Sequence, residues 1–574
     1  MHESPIAWRE WNAAAFAEAQ SADKPILLAI GAVWCHWCHV MDRTSYSDPE
    51  VIRTIAERYV PIRVDTDRRP DVNARYNLGG WPTTAILSPD GEPLTGGTYL
   101  PPEPFREMLG EVADEYRDRK NEIAAALAER AARQRERPVP DAAEPDAQIV
   151  TNVRAAIGAA YDREFGGFGS EPKFPMTDVL DFLLTLYARE RESELAAMLV
   201  KTLLGMARGG MYDHVEGGFF RYSTTRDWTI PHFEKMAEDH AGLLRIYARA
   251  WRLLDVDALR ETLVSALEYV RTVFRDPATG LFAGSQDADE VYYTLPLEQR
   301  RARAAPFIDR TVYTGWNAGL ASGLLAAARA LDDDSLAADA VAVLDTLDST
   351  LTDDDGLLYH YLSPGGVPQV RGLLNDQAAF LRALLDAHEY TGEARFRERA
   401  LKLARKILAR FSADGALADR ADDEPLGRLR IADYPLAENA CVADSLLRLE
   451  AMSAVATYGE RARAILRAFA ARPAAGLFAA PFAAAVARSL WGGASVAIVG
   501  ATAATEDLRE VVARLPDPFV VCATFAPSEA AALERGLHAA ADGAPLAYPC
   551  RGTVCAAPVR DAGALARAFD AAAS

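Results

Sequence analysis

The sequence is poor in cysteine, in basic runs and in long apolar stretches, and each shortage closes off a class of protein. Six cysteines in 574 residues cannot staple a disulfide scaffold, which packs several bridges into a short chain. No apolar run approaches the ~20 residues that span a bilayer, so no membrane-crossing helix is expected. Lys and Arg number 62 against 82 Asp and Glu, a net charge of −20. With no basic run to offset that charge, neither nucleic acid nor a membrane is an expected partner. The opening Met1-His-Glu-Ser-Pro lacks the cationic and apolar regions of a secretory leader. A cytoplasmic location is therefore expected, where paired cysteines are reduced, catalytic or metal-bound.

What remains is ordinary globular composition, 50% apolar and 25% charged, over a length several times that of a ~150-residue domain. A multidomain chain of α/β and all-α parts is predicted. Residues 1–135 alternate strands and helices: strands over 25–32, 59–65 and 83–87, a helix opening at Cys35, and a helix over 48–58 capped by Asp48. A hairpin partner near 96–100 follows the Pro89-Asp90-Gly91 turn, and one long helix over 105–135 runs into a Pro-rich linker at 137–146.

Residues 147–490 read as helical throughout, with a recurrence. Five helices begin with polar residues and continue apolar, at Thr177-Asp178, Asp239-His240, Trp316-Asn317, Asp376-Gln377 and Glu438-Asn439. The separations are 62, 77, 60 and 62 residues, one helical hairpin per period. This spacing predicts an (α/α)6 toroid whose inner helices present their N-termini to a funnel; an open α-solenoid is the alternative. Residues 491–574 return to strand–helix alternation and form a small α/β lobe.

Within Val33-Trp-Cys35-His-Trp-Cys38-His39, two thiols one helical turn apart open a helix that follows an apolar strand. The helix N-terminus favours a thiolate at Cys35, and Cys38, one turn in, is the more shielded resolving thiol. Gly79-Gly-Trp81-Pro82-Thr83 supplies a proline loop at the distance at which thioredoxin sets its cis-proline against the CxxC pair. One departure is visible: the buried acid usual six residues before the first cysteine is Ala29 here. The same residues spell the CxxCH haem-attachment pattern, which requires export, and a zinc set of Cys35, Cys38 and His39, which lacks a distant partner pair. No cofactor and no metal are expected.

The densest polar cluster holds Asp213, His214, Arg221, Trp228, His232, Glu234, Asp239 and His240, interleaved with Gly and aromatic residues. Aromatic faces stack on sugar rings, and carboxylates beside them suit acid/base work on a glycoside. Asp287 and Asp289 add acid at a later loop. Trp316, Asn317, Asp376, Glu438 and Asn439, at inner-helix starts, complete the candidate pocket.

These motifs, with GGFGSEPKFP at 166–175, SQDADE at 285–290 and the Cys550/Cys555 pair, resemble the thioredoxin-domain family typified by spermatogenesis-associated protein 20. The resemblance implies a thioredoxin-like domain fused to a toroid similar to sugar 2-epimerases and glycosidases. It also makes Cys550 and Cys555 a candidate second thiol pair.

Three functions are expected in order. The first is a thiol-disulfide oxidoreductase in which Cys35 attacks, Cys38 resolves and Pro82 positions a protein or small-molecule disulfide. The second is a carbohydrate-active toroid, an epimerase or glycosidase, with His232, Glu234 and His240 as acid/base candidates and a sugar ligand. The third is a redox-sensing binding protein without turnover.

Overall fold

The protein is described by a computed structural model covering residues 5–135, 142–413, 415–422, 424–471, 476–515, 517–552 and 554–573. Residues 137–141 of the expected linker lie outside the described residues. The chain divides into two compact units, 1–139 with 422–433, and 140–421 with 434–574.

In the first unit, strand β1 (Ile26–Gly31) pairs parallel with β2 (Val60–Asp65) and antiparallel with β3 (Thr83–Leu87). Strand β4 (Pro93–Gly97) completes a four-stranded sheet of order β2-β1-β3-β4. The apolar run of β1 is continuous because both faces of the sheet are covered. Leu27 and Ala29 face Met41, Val51, Ile55 and Phe105, while Ile26, Leu28 and Ile30 face Trp11, Phe16, Val72 and Tyr76. The helices carrying those residues are α1 (Ala13–Ala22), α2 (His36–Arg43), α3 (Pro49–Arg58), α4 (Pro70–Tyr76) and α5 (Pro102–Asp118). Asp48 caps α3 by accepting the N–H groups of Glu50 and Val51, a bond set worth about 1 kcal/mol.

Two local expectations are corrected. The long helix over 105–135 is two helices, α5 and α6 (Lys120–Arg135), broken at Arg119. The apolar stripe that docks α5 ends at Tyr116, so no packing carries the helix straight on. The hairpin partner begins at Pro93, because the turn closes at once when the Ser88 N–H donates to the Glu92 carbonyl. Helix α4, opened by Pro70, was not expected.

The second unit contains α7 (Ala147–Ala160), α8 (Thr177–Glu190), α9 (Ser193–Arg208), α10 (Ala237–Leu254) and α11 (Asp257–Tyr269). Two short helices, α12 (Glu290–Tyr293) and α13 (Leu297–Arg301), precede α14 (Thr314–Leu331), α15 (Asp334–Leu351), α16 (Leu374–Thr391) and α17 (Ala394–Arg410). Then come α18 (Leu436–Ser453), α19 (Ala456–Ala470) and α20 (Ala480–Trp491). Helices α8, α10, α14, α16, α18 and α20 pack each on the next, and α20 returns to α8. That closure makes an (α/α)6 toroid and rules out the open solenoid. The remaining six long helices alternate with them as the outer ring. The five expected inner starts lie at or just after the observed first residues of α8, α10, α14, α16 and α18. The sixth inner helix opens at Ala480-Pro481, with no polar pair to announce it.

The C-terminal residues form a four-stranded sheet built on Ala494–Val499, Val521–Phe525, Leu546–Arg551 and Val554–Cys555. This lobe belongs to the same compact unit as the toroid. Among the described residues, no helix is long and apolar enough to cross a membrane.

Candidate functional site

Cys35 is the N-cap of α2, and its Sγ accepts the Cys38 N–H at 3.2 Å. The two sulfurs are joined as a disulfide. Cys38 packs under the end of β1, where a Cβ at Gly31 would stand 3.3 Å from its Sγ. The Trp81–Pro82 peptide is cis. Its Trp81 ring meets the ring of Trp34 edge-on, with centroids 5.6 Å apart, and donates from Nε1 to Asn73. Trp34 in turn donates from Nε1 to Asp67 at 2.6 Å. The residue before the first cysteine therefore touches the residue before the cis-proline, with Trp34 tied to the loop leaving β2 and Trp81 to α4. His39 uses Nε2 on the Val33 carbonyl at 2.8 Å, and with the sulfurs bonded to each other the zinc set is not assembled. The relative shielding of the thiols departs from expectation. Cys35 is 5% exposed and Cys38 9%, so both residues are buried and Cys38 is not the more shielded of the two.

In the toroid, much of the expected pocket proves to be the scaffold that shapes it. Lys173 Nζ donates to Asp162 Oδ2 at 2.6 Å and to the Gly166 carbonyl at 2.7 Å. Lys235 Nζ repeats this clamp, donating to Asp213 Oδ2 and the Gly217 carbonyl, both at 2.8 Å. Both lysines are fully buried. Arg300 joins the second clamp, 2.7 Å from Asp213 Oδ2. Burial raises the Asp213 carboxyl, but Lys235 and Arg300 outweigh it and hold the group below its ordinary range.

A second repeated device accounts for the recurrent polar residues. His240, Asn317, Gln377 and Asn439 are each the fourth residue of an inner helix. Each accepts a backbone N–H from the loop before that helix, on Phe219, Phe282, Leu358 and Leu417 respectively. Each also engages the carbonyl four residues back, on Met236, Tyr313, Leu373 and Pro435. Buried loop backbone must be paired, and one side chain per repeat does it. Because His240 Nε2 accepts, its Nδ1 carries the proton, and burial pushes its pKa down to about 4.

The inner-helix N-termini open on a cavity of about 1040 Å³ lined by all six inner helices. Asp178, Glu238, Trp316, Asn375 and Glu438 stand around its mouth, with Arg245 and Arg382 two turns deeper. Beside Glu238 lies a tight group. Glu234 is fully buried, 3.1 Å from His232 Nδ1 and 3.8 Å from Arg221, and neither of its oxygens is in a hydrogen bond. The His232 ring stacks on Tyr222 at 4.8 Å, and Tyr222 stacks on the exposed Phe174 at 4.8 Å. Burial pushes Asp239 up to about 7; Arg221 opposes the shift, and Glu238 and Glu234 add to it. Burial likewise raises Glu238 and Asp178, which face the water of the cavity but are walled by protein. His360 Nδ1 donates to the buried Asp376 at 2.9 Å, and the Gly315 N–H holds the other oxygen of that carboxylate.

Residues 1–134 match the family model Thioredox_DsbH, described as a protein of unknown function, DUF255. They form a DsbH-type thioredoxin-like domain. The chain is also 35% identical over 313 residues to spermatogenesis-associated protein 20 of Homo sapiens, covering 50% of this chain and 39% of that protein. It thus spans well under half the length of this curated relative. Over 83 residues it is 39% identical to thiol:disulfide interchange protein DsbD 1 of Pseudomonas aeruginosa, 14% of each chain. Among solved structures, a sugar epimerase from a ruminal bacterium matches at 14% identity with a TM-score of 0.47, covering 56% of this chain and 84% of that one.

Outside the DsbH-type domain, Arg221, His232, Glu234 and Asp239 come together beside Glu238, Asp376 pairs with His360, and Trp316 and Glu438 line the cavity. The other expected pocket residues are placed elsewhere. Asp213 is a clamp residue, and His240, Asn317 and Asn439 are loop ties. Trp228 is buried and donates to the Phe165 carbonyl. His214 is exposed, on the Gly209 carbonyl. Asp287 accepts the adjacent Ala288 N–H, and Asp289 caps α12. Cys550 and Cys555 face each other across the last hairpin as a disulfide. His360, Arg245 and Arg382 were not anticipated, and Asp178 was expected only as an inner-helix start facing the funnel. Arg245 and Arg382 follow Glu238 and Asn375 by seven residues, two helical turns, and a charged residue on that stripe of an apolar helix is the signal that finds them.

Proposed function

We propose that the DsbH-type domain is a thiol-disulfide oxidoreductase. The observation that carries this reading is Cys35 at the tip of α2, its sulfur bonded to Cys38 and its neighbour Trp34 set against the cis-proline loop. In the reduced form, the Cys35 thiolate attacks one sulfur of a partner disulfide, and the other partner sulfur leaves as thiolate. The Cys38 thiolate then attacks Cys35 Sγ. This releases the second partner thiolate and regenerates the Cys35–Cys38 disulfide, so two electrons pass to the partner. The helix N-terminus favours each thiolate at Cys35. The likeness to a protein named for thiol:disulfide interchange supports the same assignment. Exposed Trp37, packed on Tyr99, gives an apolar rim on which a partner chain rests. Turnover of a dye-labelled disulfide peptide tests the reading: Cys35→Ser abolishes it, and unchanged turnover contradicts the assignment.

A second reading concerns the toroid, and the stack of Phe174, Tyr222 and His232 beside Glu234, Glu238 and Asp239 favours it. Flat faces next to a carboxyl that titrates near neutrality suit a small polyhydroxylated ligand and proton transfer at it. We infer a sugar-class ligand, with Asp239 as acid and His232 with Glu234 as the opposing pair. Incubation with mono- and disaccharides in deuterated water separates epimerisation, hydrolysis and binding alone. Absence of exchange, cleavage and thermal shift with every sugar contradicts it. We further propose a disulfide-bearing partner and a cytoplasmic location, and the net charge of −20 disfavours nucleic acid and membrane as partners.

A further inference from the structure

The channel behind the mouth is rich in arginine, and the arginines are not equivalent. Arg245 lies 3.2 Å from Asp181, and Arg249 is bonded to the same carboxylate. Arg448 lies 2.8 Å from Asp386, and Arg488 pairs with Asp444. Arg382 sits among them on the cavity wall, with its Nε buried and in no hydrogen bond, and no carboxylate of the described residues within ion-pair distance. Asp178, Asp181 and Asp386 act on it only from farther away. The neighbouring Cys441 thiol is pushed up by burial and stays neutral, so it places no anion against the guanidinium. A half-buried cation with no contacting anion is open to one from solution, and a planar guanidinium fork is matched by a planar carboxylate.

We propose that the toroid cavity takes a polyhydroxylated carboxylate, a uronate- or aldonate-class sugar acid, whose carboxylate docks on Arg382. The proposal rests on the reading of the toroid as a sugar-class site and specifies its ligand. Two features choose a monoanion over a phosphate dianion. Arg382 is the guanidinium without an ion pair near the mouth, since Arg191 and Arg252, which also lack one among the described residues, stand at the far, C-terminal ends of α8 and α10, while Asp178, Glu238 and Glu438 line the same cavity and repel a second negative charge. The depth also fits: Arg382 lies two turns below the rim at Asn375, so a ligand anchored there carries its hydroxyls up past Trp316 to the mouth carboxylates.

The test is calorimetric titration of the full chain with glucuronate, glucose and glucose 6-phosphate, repeated on Arg382→Gln and Arg382→Lys. Glucuronate is expected to bind at least tenfold more tightly than glucose or the phosphate, and to weaken about tenfold or more in Arg382→Gln, with glucose unaffected. Arg382→Lys, which keeps the charge and loses the fork, is expected to fall between. If Arg382→Gln does not fold, the wild-type preference decides alone, together with its weakening as salt is raised. Equal binding of glucose and glucuronate overturns the proposal but leaves the sugar-site reading standing. A preference for the phosphate overturns the proposal in the same way. No binding of any of the three overturns both.

Discussion

The ring of Trp34 stands edge-on to the ring of Trp81 at a centroid distance of 5.6 Å. One residue immediately precedes the first cysteine, the other immediately precedes the cis-proline. The contact couples the nucleophile's loop to the loop that would hold a partner chain. Such a pair contributes about 1 kcal/mol, so Trp81→Ala is expected to leave the far-ultraviolet circular dichroism unchanged. The variant should lower kcat/KM for a disulfide peptide by about tenfold. An unaltered kcat/KM dissociates the proline loop from the reaction.

The two buried lysine clamps are expected to be structural. Lys235→Met leaves Asp213 with Arg300 alone, and Lys173→Met leaves Asp162 with Arg226 alone. A buried charge left wholly unpaired costs about 3–5 kcal/mol, and with a second cation remaining on each carboxylate a smaller loss of about 1–3 kcal/mol is expected, read from urea unfolding. A loss below about 1 kcal/mol for both variants contradicts the clamp assignment.

His240 has Asn and Gln counterparts in the other repeats, so His240→Asn is expected to fold. His240→Leu, which orphans the Phe219 N–H and the Met236 carbonyl, is expected to lose about 1–3 kcal/mol per group. The pH dependence follows from the depressed pKa of about 4 against an ordinary 6.5. Between these values the unfolded chain binds a proton that the folded chain refuses, so stability is lost as pH falls from 6.5 toward 4. His240→Asn reduces that slope without abolishing it, because buried His388, lowered to about 3, contributes in the same direction.

Asp239 has the opposite sign. Its pKa of about 7 lies above the ordinary 3.8, so through that window the folded state keeps a proton the unfolded chain has released. Stability therefore falls as pH rises from about 4 to 7. Asp239→Asn is expected to gain stability relative to wild type across that range, measured by thermal unfolding at a series of pH values. A constant difference between the two proteins contradicts the assigned titration.

The strands of the DsbH-type domain and the starts of five inner helices were legible in the sequence, because continuous apolar runs and a recurring polar residue announce them. The same polar residues misled at the site. His240, Asn317 and Asn439 look like pocket groups on a helix tip, yet a tip is also where buried loop backbone needs a partner, and sequence alone does not separate the two. Asp213 lies in a glycine-rich motif whose real demand is a tight turn: Gly217 and Gly218 take positive φ, and a Cβ at Gly218 would stand 2.5 Å from the Tyr269 ring, while Trp228 fills space that a Cβ at Gly167 would take. His360 went unseen because its partner Asp376 is on another element, and the pairing exists only after the hairpins stack.

The account depends most on Cys35 as the attacking sulfur. Reduced Cys38→Ser protein is to be mixed with a disulfide peptide, quenched with acid and analysed by intact mass and peptide mapping. The account predicts one stable peptide adduct, on Cys35, absent from the Cys35→Ser, Cys38→Ser double variant. No adduct, or an adduct borne by Cys441 or Cys522 instead, contradicts it.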